Sequence, residues 1–373
     1  MRLYLNPNTV PWPDTPGGDY ARRYLTPFMT QGSSTFIRNA PEVKVGAAVL
    51  EGTVLPFTLA KHEAGTTYTV SPFTHYFSYA QEEAARELPR NWQLVAQPLL
   101  SALASAARAE QFDRVVYVNN WLLSTNLYPA LEPSSIKRLA RYLPKVFPER
   151  AVIFRSLDVR EHPVLISALI TCGYRPVLSR QVYYQDPSEA LKKRQLKEDA
   201  RILRQNGYRV KAGEAFSETD VERAAELYQL LYLKKYSGYN PDFSVEFFRL
   251  ALREKLFCFL GLEKEGRLDG VLGYVVRNGV MTQPIFGYDT ALPQDLGLYR
   301  SLSLLTLRTG LERGLLVNAS SGVGEFKRQR GGAAAAEYNL VYSDHLPLAR
   351  RWPWRTLETV SAAALPLFRR LGL

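Results

Sequence analysis

Cysteine, histidine and methionine are scarce in this chain of 373 residues, which has two, four and three of them. Cys172 and Cys258 lie in apolar segments, so we expect two small buried side chains in a reducing compartment and no disulfide. The histidines show none of the short spacings that bind metals, and no metal ion is expected. Motifs of phosphate-binding loops, serine hydrolases, zinc proteases and dithiol redox proteins are also absent, which argues against those classes.

Long apolar runs are missing as well. No window of about eighteen residues is uncharged and apolar throughout, so no membrane-spanning helix is expected. The first residues, MRLYLNPNTVPWPDTPGGD, do not contain the apolar core of a signal peptide. Together with the cysteine pattern, this predicts a cytoplasmic protein.

Positive charge is in excess: the formal net charge is +11 and the sequence pI is about 9.5. Residues up to Asp186 contain 19 Lys+Arg against 15 Asp+Glu, and the remainder contains 28 against 21. The excess is therefore larger in the second half, although it forms no basic tail. Such a charge suits a partner that bears phosphate, for example a nucleotide cofactor or RNA, but a merely basic surface gives the same numbers.

The pattern of apolar residues and turns predicts two α/β (α+β) domains that follow an irregular arm. Residues 1–40 are turn-rich and are expected to wrap the surface without regular structure. In residues 41–186 we expect three antiparallel strands, the third being TTYTVSPFTHYFSY, and then alternating helices and strands. Residues 187–373 contain much the same order with two additional helices near the start. Each domain is predicted to have a mixed, mostly antiparallel central sheet flanked by helices.

The element order of the second domain resembles that of the GNAT acyltransferase fold. That family binds a pyrophosphate with the backbone N–H groups of a loop and helix whose signature is Gln/Arg-x-x-Gly-x-Gly/Ala. The segment Gln294-Asp-Leu-Gly297-Leu298-Tyr299 matches the signature at Gln294 and Gly297 and departs from it at Tyr299. The resemblance implies that this loop binds the diphosphate of acetyl-CoA or another acyl-CoA, with a further contact from Arg300. Gly297→Glu is then expected to abolish donor binding and to leave the fold intact.

A second segment, GVGEFKRQRGGAAAAEYNLVY (residues 322–342), resembles a Phe-Lys-x-x-Phe-Gly stretch near the end of FemABX-like transferases. It is also similar to the related acetyltransferase domain of many bacterial biosynthetic proteins. Arg330 stands where that family usually has an aromatic residue. Those proteins are tandem GNAT folds whose first copy often lacks cofactor binding. The resemblance therefore implies a degenerate GNAT-like domain in residues 41–186 and a donor-binding domain in residues 187–373.

The same resemblance implies catalytic roles for three charged residues. Lys327 would lie near the reacting carbonyl or the acceptor, where its ammonium could stabilise an oxyanion or bind a phosphate or carboxylate. As a turn residue it would instead be solvated. Glu325, expected on the same side of a strand, is either the salt-bridge partner of Lys327 or the base that deprotonates the acceptor amine. Asp289 is a competing base, unless it only caps the turn that follows it.

Four residues are candidates for binding the acceptor. Tyr236 and Tyr239 end a long predicted helix, in a region that builds one wall of the acceptor groove in GNAT folds, and Tyr288 ends the aromatic strand PIFGY. The helical spacing of Tyr236 with the tyrosines before it fits a core stripe equally well. His75, in a predicted strand of the first domain, either lines the cleft between the domains or is simply packed among aromatic residues.

The predicted function is N-acyl transfer from acyl-CoA to the amine of a small molecule or peptide by direct attack. One alternative is a FemABX-like aminoacyltransferase that uses aminoacyl-tRNA as donor, and another is a non-catalytic GNAT-fold module that binds RNA or a partner protein. In the tRNA alternative a basic helix contacts phosphates, although the helix is equally well a solvated face. The basic residues of this helix are Lys192, Lys193, Arg194, Lys197, Arg201 and Arg204. The oligomeric state stays open.

Overall fold

The structure is a computed structural model that describes residues 2–60, 64–87 and 90–371. The strands in these ranges form one sheet. Successive residues of a strand pack into different apolar clusters, because side chains alternate between the faces of a sheet and helices cover both faces. The strands are β1 (Arg2–Tyr4), β2 (Lys44–Leu50), β3 (Thr53–Leu59), β4 (Val115–Val118), β5 (Ala151–Asp158), β6 (Arg175–Gln185), β7 (Arg209–Ala212), β8 (Cys258–Lys264), β9 (Arg267–Arg277), β10 (Val280–Tyr288), β11 (Leu316–Asn318) and β12 (Ala333–Tyr342).

The helices vary from single turns to six turns. Two π-helical segments, Thr74–Ser78 and Leu230–Tyr236, adjoin α3 and α9. The α-helices are α1 (Pro16–Gln31), α2 (Ser33–Phe36), α3 (Tyr79–Glu87), α4 (Arg90–Ala109), α5 (Pro133–Val146), α6 (Pro163–Ile170), α7 (Pro187–Ala190), α8 (Arg194–Gln205), α9 (Glu218–Gln229), α10 (Val245–Arg253), α11 (Leu298–Glu312), α12 (Gly324–Gln329) and α13 (Leu348–Leu371).

The order of strands in the sheet has an internal symmetry. It runs β1-β2-β3-β4-β5-β12-β6-β11-β10-β9-β8-β7, so each strand from β1 to β6 has its counterpart six strands later in the chain. The pairs β4–β5 and β10–β11, which are counterparts, are both parallel, whereas the other ladders of the described sheet are antiparallel. Two copies of one topology therefore meet at β12 and β6. This confirms the predicted fold class, a mixed and mostly antiparallel α/β architecture of two tandem GNAT-like halves.

The two halves exchange their last strands. β12 comes from the second half and lies between β5 and β6 of the first, while β6 lies between β12 and β11. The β12–β6 ladder extends from Ala333↔Tyr184 to Val341↔Arg175. Neither half can move away without breaking this ladder, so the sheet is continuous across the predicted boundary near residue 186. The boundaries themselves stay predictions.

The expectation of an irregular arm in residues 1–40 is wrong for residues 16–36, which are helical. Thr15 caps α1, because its hydroxyl accepts a hydrogen bond of 3.0 Å from the Gly18 amide, and Pro16 follows at the first helical position. Tyr24 and Phe28, one helical turn apart, are buried against the second half, with Phe28 and Phe247 at a ring distance of 6.4 Å. The Pro- and Gly-rich start concealed this apolar periodicity.

The third expected strand, TTYTVSPFTHYFSY, is also wrong, because the chain is helical from residue 72. The Ser71 hydroxyl accepts a hydrogen bond of 2.9 Å from the Thr74 amide and donates one to the buried Asp113 carboxylate. That carboxylate also accepts from the Phe73 amide at 2.7 Å. These caps stabilise a helix start in a segment whose Thr and aromatic content favours a strand.

Both cysteines are free thiols; the expectation of a buried side chain is wrong for Cys258, which is exposed, and Cys172 is partly buried. Cys258 begins β8 and points away from the core, which the apolar residues around it did not indicate. Among the described residues, no group of metal-binding side chains comes together. None of the helices described is both long and apolar enough to cross a bilayer.

Candidate active site

The parallel strands β10 and β11 separate part-way along their length. Their ladder extends from Val280↔Leu316 to Thr282↔Asn318, where β11 ends, whereas β10 continues to Tyr288. The register of β10 with β9 shifts at the same place, which puts Gln283 and Pro284 in a bulge. Beyond Thr282, the amides of β10 that point toward β11 therefore have no ladder partner, and an opening forms inside the sheet.

The corresponding opening in the first half is filled by the chain itself. β4 and β5 pair from Val115↔Ala151 to Val118↔Phe154 and then separate. The backbone amide of Asn126 lies in the gap and donates to the Ser156 hydroxyl at 3.2 Å. The buried Arg155 donates to the Asn120 side chain at 2.8 Å, and the Tyr128 hydroxyl donates to the Arg155 carbonyl at 2.7 Å. Side chains of the first half therefore occupy this gap.

Aromatic side chains line the second opening. Tyr288 lies at the end of β10, Tyr299 lies in the first turn of α11, and Phe326 lies in α12. The Tyr299 ring is 5.1 Å from Phe286, 6.1 Å from Tyr288 and 4.9 Å from Phe326. Tyr299, the residue at which the pyrophosphate signature fails, thus spans the opening from β10 to α12.

Further tyrosines from the π-helical segment after α9 face the same region. Burial raises the pKa of Tyr299, and the neighbouring Tyr236, Tyr232 and Tyr288 hydroxyls raise it further. Burial likewise raises the pKa of Tyr232 and of Tyr236. The Lys235 ammonium donates to the Tyr288 hydroxyl at 2.9 Å. Tyr232, Tyr236 and Tyr299 therefore stay protonated at neutral pH and can act only as relays that give up one proton while accepting another. The structure brings the predicted residues Tyr236, Tyr288 and Tyr299 together.

The predicted pyrophosphate loop has the expected local shape. Gln294–Leu296 form a short 3-10 turn, and Gly297 adopts a left-handed conformation with φ of 62°. α11 then begins at Leu298, and its first internal hydrogen bond is donated by Ser301 to the Gly297 carbonyl at 2.8 Å. The amides of the first turn lack intrahelical partners, as in every helix.

α8 packs directly on this loop. The Asn206 side chain, which follows α8, donates to the Leu296 carbonyl at 2.7 Å. A Cβ atom on Gly297 would lie 2.8 Å from the Ile202 methyl of α8. Gly297 is buried, and α8 covers the side of this residue toward which a Cβ atom would point. Nothing in the sequence indicates that α8 folds back in this way.

A buried carboxylate pairs with two basic residues near the loop. Asp199 of α8 has no exposed surface, and its oxygens accept from the Arg330 guanidinium at 2.7 and 3.1 Å and from the Arg300 Nε. The Arg330 guanidinium also lies 3.6 Å above the Phe326 ring. Arg300 is therefore paired with Asp199, and Arg330 replaces the family's usual aromatic residue because it completes this ion cluster.

Lys327 lies in α12, and the expected strand through Glu325 and Lys327 is wrong. Gly322 and Val323 both have positive φ and turn the chain into a helix. The Lys327 ammonium is buried and donates to the carbonyls of residues 319, 321 and 320 at 2.6, 2.8 and 3.2 Å. Glu325 is exposed and accepts from Arg328 at 3.2 Å. The two residues therefore do not pair, and Lys327 closes the loop after β11.

Burial, helped by the charge of Arg180, lowers the pKa of Lys327 to about 7 from its ordinary value of 10.5. Between these two pH values the unfolded chain binds one more proton than the folded chain, so raising the pH favours folding. We therefore subtract the unfolding free energy of Lys327→Met from that of the wild type. This difference is expected to rise by up to about 1.4 kcal/mol per pH unit in this window. Urea unfolding of both proteins at pH 7, 8 and 9 measures the difference; parallel pH profiles would contradict it.

Asp289 is placed as a turn cap. Burial raises its pKa, but the Ala291 amide, which donates at 3.0 Å, and the Arg223 guanidinium outweigh burial and hold the pKa below its usual value. Arg267 lies 3.5 Å from the same carboxylate. A carboxylate stabilised in this way is a weak base, so the capping interpretation fits the contacts.

His75 packs against β6, and Tyr239 contacts the first half through its backbone carbonyl. The His75 Nε2 lies 3.2 Å from the Ser179 hydroxyl of β6, and burial, together with Arg155 and Arg180, lowers the pKa of His75 to about 3. The imidazole is therefore neutral at physiological pH. The Tyr239 carbonyl accepts from the Thr67 hydroxyl at 3.0 Å and so links the two halves.

Sequence reasoning missed an ion pair at the centre of the sheet. Arg180 and Glu337 lie directly opposite each other on β6 and β12, and the Arg180 Nε donates to Glu337 at 2.9 Å. Burial lowers the pKa of Arg180, but Glu337 outweighs it and holds the pKa above its usual value. Nothing in the sequence pairs these residues, because their contact follows from the exchange of strands.

Gly297→Ala is expected to destabilise the fold, which also speaks against the expectation that Gly297→Glu leaves the fold intact. The left-handed backbone alone costs an alanine about 1–2 kcal/mol. Gly314→Ala is the matched control, because Gly314 has φ of 63° and a Cβ atom there would have no described neighbour within 4 Å. Gly297→Ala should cost more than the control, since its Cβ would overlap Ile202. Equal unfolding free energies for the two variants in urea would show that α8 does not press on the loop.

No family model matches the chain, and no curated protein matches it. Among solved structures, FemX is similar at 8% identity over 85% of this chain and 90% of that one, with a TM-score of 0.49. A tandem GNAT protein from the clavulanic acid biosynthesis pathway is similar at 10% identity over 87% and 88%, with a TM-score of 0.40. L-PGS from Bacillus licheniformis is similar at 17% identity over 62% and 77%, with a TM-score of 0.45. All three TM-scores lie below 0.5, so the GNAT-like fold rests on the strand order of this chain itself.

Proposed function

We propose that the chain is an acyltransferase whose reaction takes place in the opening between β10 and β11. The observation that carries the proposal is the contrast between the two openings. Side chains of the chain itself fill the first, whereas the second is bordered by strand amides without ladder partners and by protonated tyrosines. Backbone amides aimed at a carbonyl oxygen stabilise the negative charge that develops there during acyl transfer.

In the proposed reaction, an amine nitrogen bonds to the acyl carbon, and the bond from that carbon to the donor oxygen breaks. The carbonyl oxygen becomes an oxyanion for a short time and is stabilised by β10 amides beyond Thr282. The amine loses one proton and the leaving oxygen gains one. We assign this transfer to the Tyr299 hydroxyl, which lies at the centre of the aromatic lining. Tyr236 and Tyr288 border the acceptor.

The other candidates for acid–base chemistry take structural roles in this proposal. Lys327 holds the loop of residues 319–321, Glu325 pairs with Arg328, and Asp289 pairs with Arg223. Each of these groups is already hydrogen-bonded within the chain, and the proposal gives none of them a step in the reaction.

For the donor, the contacts of α8 favour an ester of tRNA over acyl-CoA. A CoA diphosphate at the loop would meet the Ile202 methyl, and Arg300, the residue expected to contact the diphosphate, is already paired with Asp199. The outer face of α8 is basic, and its side chains at 192, 193, 194, 197, 201 and 204 are exposed. Only Lys192 and Arg201 of these six have an acidic partner among the described residues. The others can contact a phosphate backbone.

A direct test compares the two donors with one protein. The purified chain is mixed with a panel of amines that contains amino acids, polyamines and short peptides. The donor is either tRNA charged with labelled amino acids or acetyl-CoA with a labelled acetyl group. We expect a labelled amide from charged tRNA and none from acetyl-CoA. CoA should also leave the melting temperature unchanged, because only a ligand that binds the folded state raises it.

The remaining outcomes separate the alternatives. Amide formation from acetyl-CoA, with a rise in melting temperature, would identify the diphosphate loop as functional and α8 as displaceable. Tight binding of uncharged tRNA without transfer from either donor would favour the non-catalytic RNA-binding module. If the chain neither binds tRNA nor transfers an acyl group from either donor, the acyltransferase proposal is wrong.

A further inference from the structure

The outer face of α5 forms a basic stripe. Buried positions of the helix, such as Leu139 and Leu143, face the sheet, and the basic residues lie on the opposite side at spacings of three and four. An open groove of about 500 Å³ follows this stripe. The residues that line it are Ser134, Lys137, Arg138, Arg141, Tyr142 and Lys145.

Most of this charge is not compensated. Arg138 pairs with Glu51, but Lys137, Arg141 and Lys145 have no acidic partner among the residues that the structure describes. Around the stripe, residues 133–175 contain eight Lys+Arg and three Asp+Glu. The face therefore attracts a polyanionic surface at physiological ionic strength.

Apolar side chains border the stripe on both sides. Tyr142 and Val146 of α5 itself are 37% and 39% exposed. The end of α6 lies on the other side of the stripe. Tyr174, which follows α6, connects it to α5, because its hydroxyl donates to the Ala140 carbonyl at 3.0 Å. In α6, Val164 and Ile170 are 62% and 49% exposed. Large apolar side chains exposed in such proximity mark an interaction surface.

We propose that the α5–α6 face docks the protein on an anionic lipid surface. Such a surface attracts basic side chains, and apolar side chains beside them enter the boundary between headgroups and acyl chains. A nucleic acid would use the charges but would leave the exposed Val164, Ile170 and Val146 unexplained. This surface belongs to the first half, and the inference goes beyond the proposed acyl transfer.

Sedimentation with vesicles tests the proposal on the full chain. The wild type should bind vesicles of phosphatidylcholine with 30% phosphatidylglycerol, and should bind phosphatidylcholine alone at least 10-fold more weakly. The triple variant K137E/R141E/K145E should lose at least 10-fold in affinity for the anionic vesicles. The matched control, K193E/R194E/K197E on α8, removes as many exposed charges elsewhere and should bind as the wild type does. Circular dichroism confirms that each variant is folded.

One further double variant tests the apolar border. V164S/I170S keeps every charge, and we expect it to lower the affinity for the anionic vesicles several-fold, most clearly at high salt. If the α5 and α8 charge variants lost equal affinity for the anionic vesicles, the attraction would be non-specific and the proposal would be overturned. So would unchanged vesicle binding by the α5 variant. If the wild type does not sediment with vesicles, and the α5 charge variant loses affinity for a labelled RNA, the face would be assigned to nucleic acid instead.

Discussion

Asp199→Ala is expected to lower the unfolding free energy by about 3–5 kcal/mol, the usual effect of removing one member of a buried ion cluster. The carboxylate has no exposed surface and connects α8 to Arg300 in α11 and to Arg330 after α12. Its removal leaves the Arg330 guanidinium buried, since only 6% of that side chain is exposed, and without a counter-charge. Chemical unfolding in urea measures the change.

Two further variants make this result specific. Glu189→Ala breaks the exposed pair with Lys192 and should cost about 0–1 kcal/mol, as surface pairs do. Adding Arg330→Met to Asp199→Ala should recover part of the lost stability, because it removes the uncompensated charge. A cost for Asp199→Ala as small as that of Glu189→Ala would mean that α8 is not held on the pyrophosphate loop. The argument against a CoA donor would then fail.

Tyr299→Phe is expected to lower kcat for amide formation by about 100-fold or more, the usual contribution of a positioned proton-transfer group. The substitution keeps the ring that contacts Phe286 and Phe326 and removes only the hydroxyl. KM should therefore change little, and the melting temperature should stay close to that of the wild type. Initial rates with the labelled donor give both constants.

Tyr4→Phe is the matched control for this change, because Tyr4 lies in β1 at one edge of the sheet, eight strands away from β10. It should leave kcat unchanged. A Tyr299→Phe enzyme with wild-type kcat would remove the hydroxyl from the reaction. A large rise in KM at constant kcat would instead make Tyr299 a binding residue.

Local patterns were sufficient to predict much of the fold. The alternation of helices and strands indicated two related halves, and the expected loop and helix are present at residues 294–312. The errors occurred where a cap outweighed composition. Ser71 and Asp113 stabilise a helix in a segment rich in strand-forming residues, and Thr15 begins a helix inside a Pro- and Gly-rich region.

The candidate site was harder to predict, because it depends on contacts between distant segments. The exchange of β6 and β12 brings Arg180 opposite Glu337, and the return of α8 brings Asp199 to Arg300 and Arg330. None of these pairs has a spacing in sequence that indicates contact. Tyr299 is different: its departure from the signature was visible in the sequence, and the structure shows the ring across the opening.

The position of a bound donor analogue tests the central claim most directly. Adenosine that carries a non-hydrolysable 3′-aminoacyl amide represents the end of a charged tRNA, and a crystal structure of the complex would locate its acyl group. We predict that the carbonyl oxygen lies within hydrogen-bond distance of a backbone amide of residues 283–288, beside the Tyr299 ring. An acyl group bound outside this opening, with β10 and Tyr299 unoccupied, would contradict the account.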